Sequence, residues 1–368
     1  MRDLVPAQMR ALVLPSPGKF KVETVPVPVP GAGEVLCKVR AVAICGSDPE
    51  ILRGDLAGRW PPQYPFIPGH EWAGQVVALG PDVLNLQVGD RVAGQAHKGC
   101  GYCKNCMEGR YTICENYGCA ETGQRHYGFT TQGAYAQYIA ISIKSVDKIP
   151  DSMTFGEGAM VDTAGVVEHG LALCGITPGG TVAVIGPGPI GLIAMRLARV
   201  RGAARILAVG RGARLQASLK AGADVLVDFE KTDPVEAVRG ATGGVGVDEA
   251  VECSGAAGTF RQAVEMVRKG GRVALVGVPP DRVVEPLPFK YIVHNEIAIY
   301  GSRANPNSSR RVIPLIGAKQ LVVSDLITHR FPLEQFTTAL DYFVRRRENA
   351  IKVIIEPNGP ETEGAGLA

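Results

Sequence analysis

A chain of 368 residues, 46% hydrophobic and 20% charged, is long enough for two domains and too apolar for a disordered protein. A formal net charge of +3, with no basic run interleaved with aromatics, argues against a nucleic-acid partner. No uninterrupted apolar run reaches a bilayer span and residues 1–13 lack the apolar core of a signal peptide, so a cytoplasmic protein without membrane attachment is expected.

The first half reads as short strands at residues 10–14, 20–25, 34–43, 72–80 and 91–94. Pro-rich connections such as residues 26–33 and frequent glycines separate them, and no fixed-period repeat appears. The pattern predicts a small, partly open β-barrel.

Two sets of metal-ligand residues lie in this half. Cys45, in A-I-C-G-S-D, and His70-Glu71, in P-G-H-E, are dispersed. A catalytic zinc takes about three protein ligands and keeps one position open, so a further ligand must come from elsewhere. Asp162, Glu168 and His169, in M-V-D-T-A-G-V-V-E-H-G, are the candidates. A core cysteine and an unrelated histidine are the plainer alternative. The second set is compact: Cys100, Cys103, Cys106 and Cys114, spaced C-x2-C-x2-C-x7-C. Four thiolates in one short loop suit a closed, tetrahedral structural zinc, with an iron–sulfur cluster or disulfides as the outside readings. Cys119 is left over.

Residues 163–173 read as a helix, and 181–185 as a buried strand. Gly186, Gly188 and Gly191 then form G-x-G-x-x-G, with Pro187, Pro189 and Ile190 between them. Residues 190–200 follow at helical spacing and 206–209 restart as a strand. This is a βαβ unit with glycines where a pyrophosphate approaches the backbone and a helix N-terminus that offers N–H groups. The two prolines are tolerated because the first helical turn does not use their missing N–H groups. At the next strand end, where an NAD site carries Asp or Glu, stands Gly210, followed by Arg211 and Arg214. Guanidinium groups match a 2′-phosphate, so NADP is favoured over NAD, with solvated surface arginines as the alternative.

Further on, 215–219 reads as a helix, 225–228 and 247–253 as strands, 265–268 as the end of a helix stopped by Gly270-Gly271, and 272–277 as a strand. Residues 297–301 form the last strand of this set. Residues 310–318 and 333–344 read as helices, 350–355 as a closing strand, and 359–368 as a loose tail.

With G-H-E-W-A-G at 69–74, V-G-D-R-V at 88–92, the cysteine lobe, the glycine fingerprint, G-G-x-G-V-D at 243–248 and E-C-S-G at 252–255, the chain resembles the zinc-containing medium-chain dehydrogenase/reductases. The resemblance runs from about Arg10 to Glu356, on the sorbitol and threonine dehydrogenase side of that superfamily. It implies a GroES-like, partly open β-barrel catalytic domain, residues 1–160 plus 302–368, with a structural-zinc lobe at 97–116. It also implies an α/β Rossmann domain at 161–301, two zinc ions per chain and a homodimer or homotetramer. Carried over by motif, Cys45, His70 and Asp162 become ligands of the catalytic zinc. Glu71 becomes a carboxylate on or behind the metal, and Ser47 the hydroxyl that hands on the alcohol proton. Many members have a histidine three residues after that serine. Here it is Glu50, a substitute proton acceptor. Val276 and Gly277 fall near the nicotinamide.

The implied activity is hydride transfer between NAD(P) and a secondary alcohol or ketone, with polyols and cyclitols leading. Simple secondary alcohols or hydroxy-amino acids are the runner-up. A non-catalytic zinc- and nucleotide-binding protein and a zinc-independent quinone reductase are the rivals, and both leave Cys45, His70, Asp162 and Ser47 without a purpose.

Overall fold

Residues 5–361 are described by a computed structural model, in which the chain divides into two compact units. One holds the chain up to Asp162, Ile316–Ala318 and the chain from Val323 on, and the other holds Thr163–Leu315 and Lys319–Val322.

The first unit is built on a seven-stranded sheet. Its order is Ile327–Pro332, Lys352–Glu356, Glu34–Ala43, Glu71–Leu79, Arg91–Gly94 and Val146–Lys148, with Tyr138–Ser142 also paired to Glu34–Ala43. The path is open rather than closed into a ring. Gln8–Ser16 and Lys19–Pro26 form an antiparallel hairpin. Glu34–Ala43 is central and apolar along most of its length, so Val35, Val39 and Val42 enter a core with Trp72, Tyr135 and Phe336. Burying such large side chains contributes about 1.5–3 kcal/mol each.

The second unit carries six parallel strands in the order Val225–Asp228, Arg205–Gly210, Thr181–Ile185, Val247–Glu252, Val267–Leu275 and Ala298–Gly301. Counted along the chain this is 3-2-1-4-5-6, the doubly wound dinucleotide-binding order, and the strand that feeds the glycine turn lies at its centre.

Several expectations need correcting. The helix expected to stop at Gly270-Gly271 spans Thr259–Met266, and the following strand, Val267–Leu275, runs through both glycines. Gly270 sits at φ +69°, and a Cβ on Gly271 would meet Val267 at 2.7 Å, so these glycines serve a crowded strand rather than a helix end. Residues 302–315 group with the second unit, and the chain re-enters the first at Ile316–Ala318 and again from Val323. Asn305 and Ser308 stand against Gly165, and the Arg196 guanidinium donates to the Val322 carbonyl, which ties this stretch to the nucleotide unit. Of the expected loose tail, residues 362–368 lie outside the described residues. Glu361 is anchored, accepting from the Phe155 N–H at 3.0 Å and pairing with Arg91 at 3.4 Å. Among the described residues no helix is long and apolar enough to cross a membrane.

Candidate active site

Strand register assembles the first metal-ligand group. Ala43 is paired with Glu71 and also with Ile354, so three strands distant in sequence end side by side. Cys45 leaves the first strand, His70 and Glu71 enter the second, and the Ile44 N–H donates to the Val353 carbonyl at 2.9 Å, which brings Lys352 beside Cys45. The ligand atoms of Cys45, His70 and Glu71 all lie within 4.8 Å of one another. Gly69, at φ +93°, is needed for this approach, because a Cβ there would stand 2.8 Å from the Tyr135 ring.

Two residues that sequence reasoning passed over support the group. Asp48 is fully buried and accepts from the Cys45 N–H at 2.8 Å and the Tyr135 hydroxyl at 2.6 Å. Burial raises its pKa against the pull of His70 and these donors. Lys352, 2% exposed, forms an ion pair with Glu71. Burial opposes charge on Lys352, but Glu71, Cys45 and Asp48 outweigh it and raise its pKa. Burial opposes charge on His70, and the same three groups, Cys45 foremost, outweigh it and raise its pKa to about 10. The Oγ of Ser47, Oδ1 of Asp48 and Nδ1 of His70 are buried without a hydrogen-bond partner. A thiolate, an imidazole and carboxylates around unsatisfied polar atoms fit a zinc ion.

Asp162, the second residue of the helix Val161–Cys174, is buried but lies outside the 4.8 Å group. Glu168 is held by Arg201 at 2.6 Å and Arg311 at 3.7 Å, and burial followed by Arg311 lowers the pKa of His169, so neither joins the ligands. Ser47 caps the helix Asp48–Arg53, with its carbonyl accepting from the Glu50 N–H at 3.2 Å, which sets Glu50 one turn on. Phe129 stands 4.6 Å from the His70 ring, with Trp60 edge-on to Phe129 at 5.2 Å, forming an aromatic wall beside the ligands.

Cys100, Cys103, Cys106 and Cys114 also converge, with sulfur–sulfur distances of 3.9 Å for Cys100–Cys106 and Cys103–Cys114. These are too long for disulfides, and all nine cysteines, every one among the described residues, are free. A Cβ on Gly99 would lie 2.4 Å from the Cys106 sulfur, so only glycine lets the loop fold onto its own ligands. Desolvation disfavours the Cys100 thiolate, but N–H donors from Tyr102, Asn116 and Cys103 prevail and bring the thiol down to about 6. Four convergent cysteine sulfurs fit a structural zinc.

The glycine fingerprint takes its expected form. Gly186 has φ +90°, Gly188 is extended and caps the helix Pro189–Val200, and a Cβ on Gly191 would stand 2.1 Å from the Gly186 carbonyl. Pro189 occupies the first helical position, where no donor is lost, and the N–H groups of Ile190 and Gly191 follow. A Cβ on Gly188 would meet nothing nearer than Arg214 Nη1 at 3.7 Å, so the cradle is open beside a cation and fits a pyrophosphate. Val276 and Gly277 lie just past their strand, both N–H groups donating to the Glu252 carbonyl at 2.9 Å. The Arg211 guanidinium pairs with Glu230 at 2.6 Å and lies over the Phe229 ring at 5.7 Å. Glu230 is an acidic neighbour that the sequence, at a separation of 19 positions, did not associate with Arg211.

Comparison with known proteins agrees with this geometry. The family model described as "Alcohol dehydrogenase GroES-like domain" matches residues 31–151, and "Zinc-binding dehydrogenase" matches residues 189–318. The chain is 35% identical to the sorbitol dehydrogenase of Bacillus subtilis, over 97% of this chain and 100% of that one. It is 32% identical to the L-threonine 3-dehydrogenase of Bacillus licheniformis, over 95% and 99%. Its fold matches the crystal structure of a zinc-binding dehydrogenase from Sinorhizobium meliloti bound to NADP, with a TM-score of 0.87 and 32% identity, over 96% and 100%. Full-length likeness of this kind, on a chain that brings together both cysteine-containing ligand groups and a dinucleotide turn, makes this protein a member of the zinc-containing medium-chain dehydrogenase/reductase superfamily, on its polyol and threonine dehydrogenase branch.

Proposed function

We propose that the chain interconverts a secondary alcohol of the polyol or cyclitol class and its ketone, with NADP favoured over NAD. The observation that carries this reading is the convergence of Cys45, His70 and Glu71 beside the unsatisfied Ser47 hydroxyl. The zinc and NAD(P) dependence of the family applies to it as a member. When bound, zinc supplies polarisation of the substrate oxygen and the nicotinamide supplies the hydride acceptor.

The chain's own residues do the rest. Cys45, His70 and Asp162 would hold the catalytic zinc. Glu71, whose carboxylate is paired with Lys352, would serve as the carboxylate behind those ligands. Ser47 accepts the alcohol proton as the ketone forms and returns it in reduction, and Glu50, one helical turn on, receives it. Trp60 and Phe129 offer apolar faces to the carbon skeleton. Gly186, Gly188 and Gly191 with the N–H groups of Ile190 and Gly191 take the pyrophosphate. Arg211, assisted by Arg214, takes the 2′-phosphate, while Val276 and Gly277 border the nicotinamide. Cys100, Cys103, Cys106 and Cys114 would hold a second zinc for structure. Likeness to a sorbitol dehydrogenase supports the polyol class, and likeness to an L-threonine 3-dehydrogenase keeps a hydroxy-amino acid as the second reading. Exposed Val278, Val284, Leu287 and Phe289, in the nucleotide unit, support a homo-oligomer.

A dehydrogenase screen tests the reading, pairing NAD and NADP with polyols, cyclitols, simple secondary alcohols and hydroxy-amino acids. The highest kcat/KM is expected for a polyol or cyclitol with NADP. A clear preference for threonine-like substrates would replace the substrate class, and a preference for NAD the cofactor.

A further inference from the structure

The strand Arg205–Gly210 ends against the glycine turn, where the Gly186 N–H donates to the Val209 carbonyl at 3.0 Å. Gly210 is buried there. A Cβ at this position would stand 2.4 Å from Cγ and 2.5 Å from Cδ of Pro187, far inside van der Waals contact. These ring atoms cannot swing aside as a flexible side chain does, because the pyrrolidine ring is closed on the backbone nitrogen. Leu215 Cδ1, the third neighbour, is 3.7 Å away and makes no such demand. One proline ring therefore decides whether position 210 can carry any side chain.

We propose that Pro187 is a specificity-determining residue for the cofactor: its ring bars a side chain, and with it a ribose-binding carboxylate, from position 210. The proposal rests on the reading that the adenosine end of NADP lies at this strand end. Selectivity then has two components. Arg211 and Arg214 favour the 2′-phosphate, and the turn itself excludes the acidic group that would favour a free ribose. Introducing that acid at position 210 alone displaces the turn instead of changing cofactor.

The test is a double-mutant cycle with Gly210→Asp, Pro187→Ala and the double variant, repeated with Gly210→Ala as the smallest possible side chain. Binding of ADP-ribose and of 2′-phospho-ADP-ribose is measured by calorimetry, with thermal unfolding alongside. The expected result is that either substitution at 210 alone weakens both ligands and lowers Tm, and that Pro187→Ala relieves the loss. The coupling should fall at about two- to a hundredfold in affinity. In the double variant with Asp the preference moves toward ADP-ribose. Additive effects of the 187 and 210 substitutions, or a Gly210→Asp protein that binds ADP-ribose as well as the double variant does, would overturn the proposal. A wild type that prefers ADP-ribose would refute the NADP reading instead, and the coupling between 187 and 210 would still decide the steric one. If Gly210→Asp does not fold, recovery of Tm in the Gly210→Ala/Pro187→Ala protein over Gly210→Ala alone supports the proposal, and no recovery refutes it.

Discussion

The Tyr135 hydroxyl donates to Asp48 at 2.6 Å, and the other oxygen of that carboxylate stands 4.0 Å from His70 Nδ1. Tyr135 thereby fixes the carboxylate that faces a proposed zinc ligand from behind. Groups in that position orient the imidazole, and losing one costs about tenfold to a hundredfold in metal affinity. Tyr135→Phe keeps the ring in the core and removes only the hydroxyl. Chelator competition should show weaker zinc binding by one ion per chain, and Asp48→Asn should weaken it further. Unchanged affinity in both variants would remove Asp48 and Tyr135 from the account.

Asp162→Ala tests the third ligand. It should reduce zinc retention at the Cys45 site by at least the roughly tenfold to hundredfold that outer partners cost, and turnover with it. Cofactor binding should be unchanged. If Asp162→Ala keeps its zinc and Glu71→Gln loses it, the assignment passes to Glu71.

Cys103→Ser should lose one of the two zinc ions and leave the ion at Cys45 in place. The lobe has only short elements around its sulfurs, such as Lys104–Met107 and Tyr111–Ile113, so the metal carries much of its stability. A loss of several kcal/mol corresponds to a fall in Tm on the order of 10 °C. An unchanged zinc content by elemental analysis would contradict the site.

Glu230 competes with a 2′-phosphate for the Arg211 guanidinium. Both side chains are more than half exposed, so the pair contributes about 0.2–1 kcal/mol. Glu230→Gln should therefore tighten NADP by roughly two- to fivefold while leaving NAD nearly unchanged. Tighter binding of both cofactors, or of neither, would show that Arg211 does not select between them.

What the sequence made legible was local. The glycine fingerprint lies within six residues, between a readable strand and helix, and the cysteine lobe within fifteen, so local sequence pointed to both. What it left hidden was non-local. Tyr135 meets Asp48 across 87 residues and Arg211 meets Glu230 across 19, and neither pair has a spacing signature. Lys352 lies in a strand that reads as apolar, and only the register of three strands shows that its ammonium faces Glu71. The glycines at 270 and 271 misled because a helix stop and a crowded strand both require glycine.

The pairing of Ala43 with both Glu71 and Ile354 has a consequence for synthesis on the ribosome. Cys45, His70 and Glu71 are made before the nucleotide unit, but the strand that supplies Lys352 is translated only after it. Until it arrives, Glu71 lacks the Lys352 ammonium, and the Val42–Ala43 end of the strand lacks a partner on the side where Tyr138–Ser142 pairs with Glu34–Lys38. The intervening nucleotide unit, whose strands pair only with one another, has no such dependence. The nucleotide unit is thus free to fold before Lys352 reaches Glu71, and the ligand group reaches its final form only after that unit has been made.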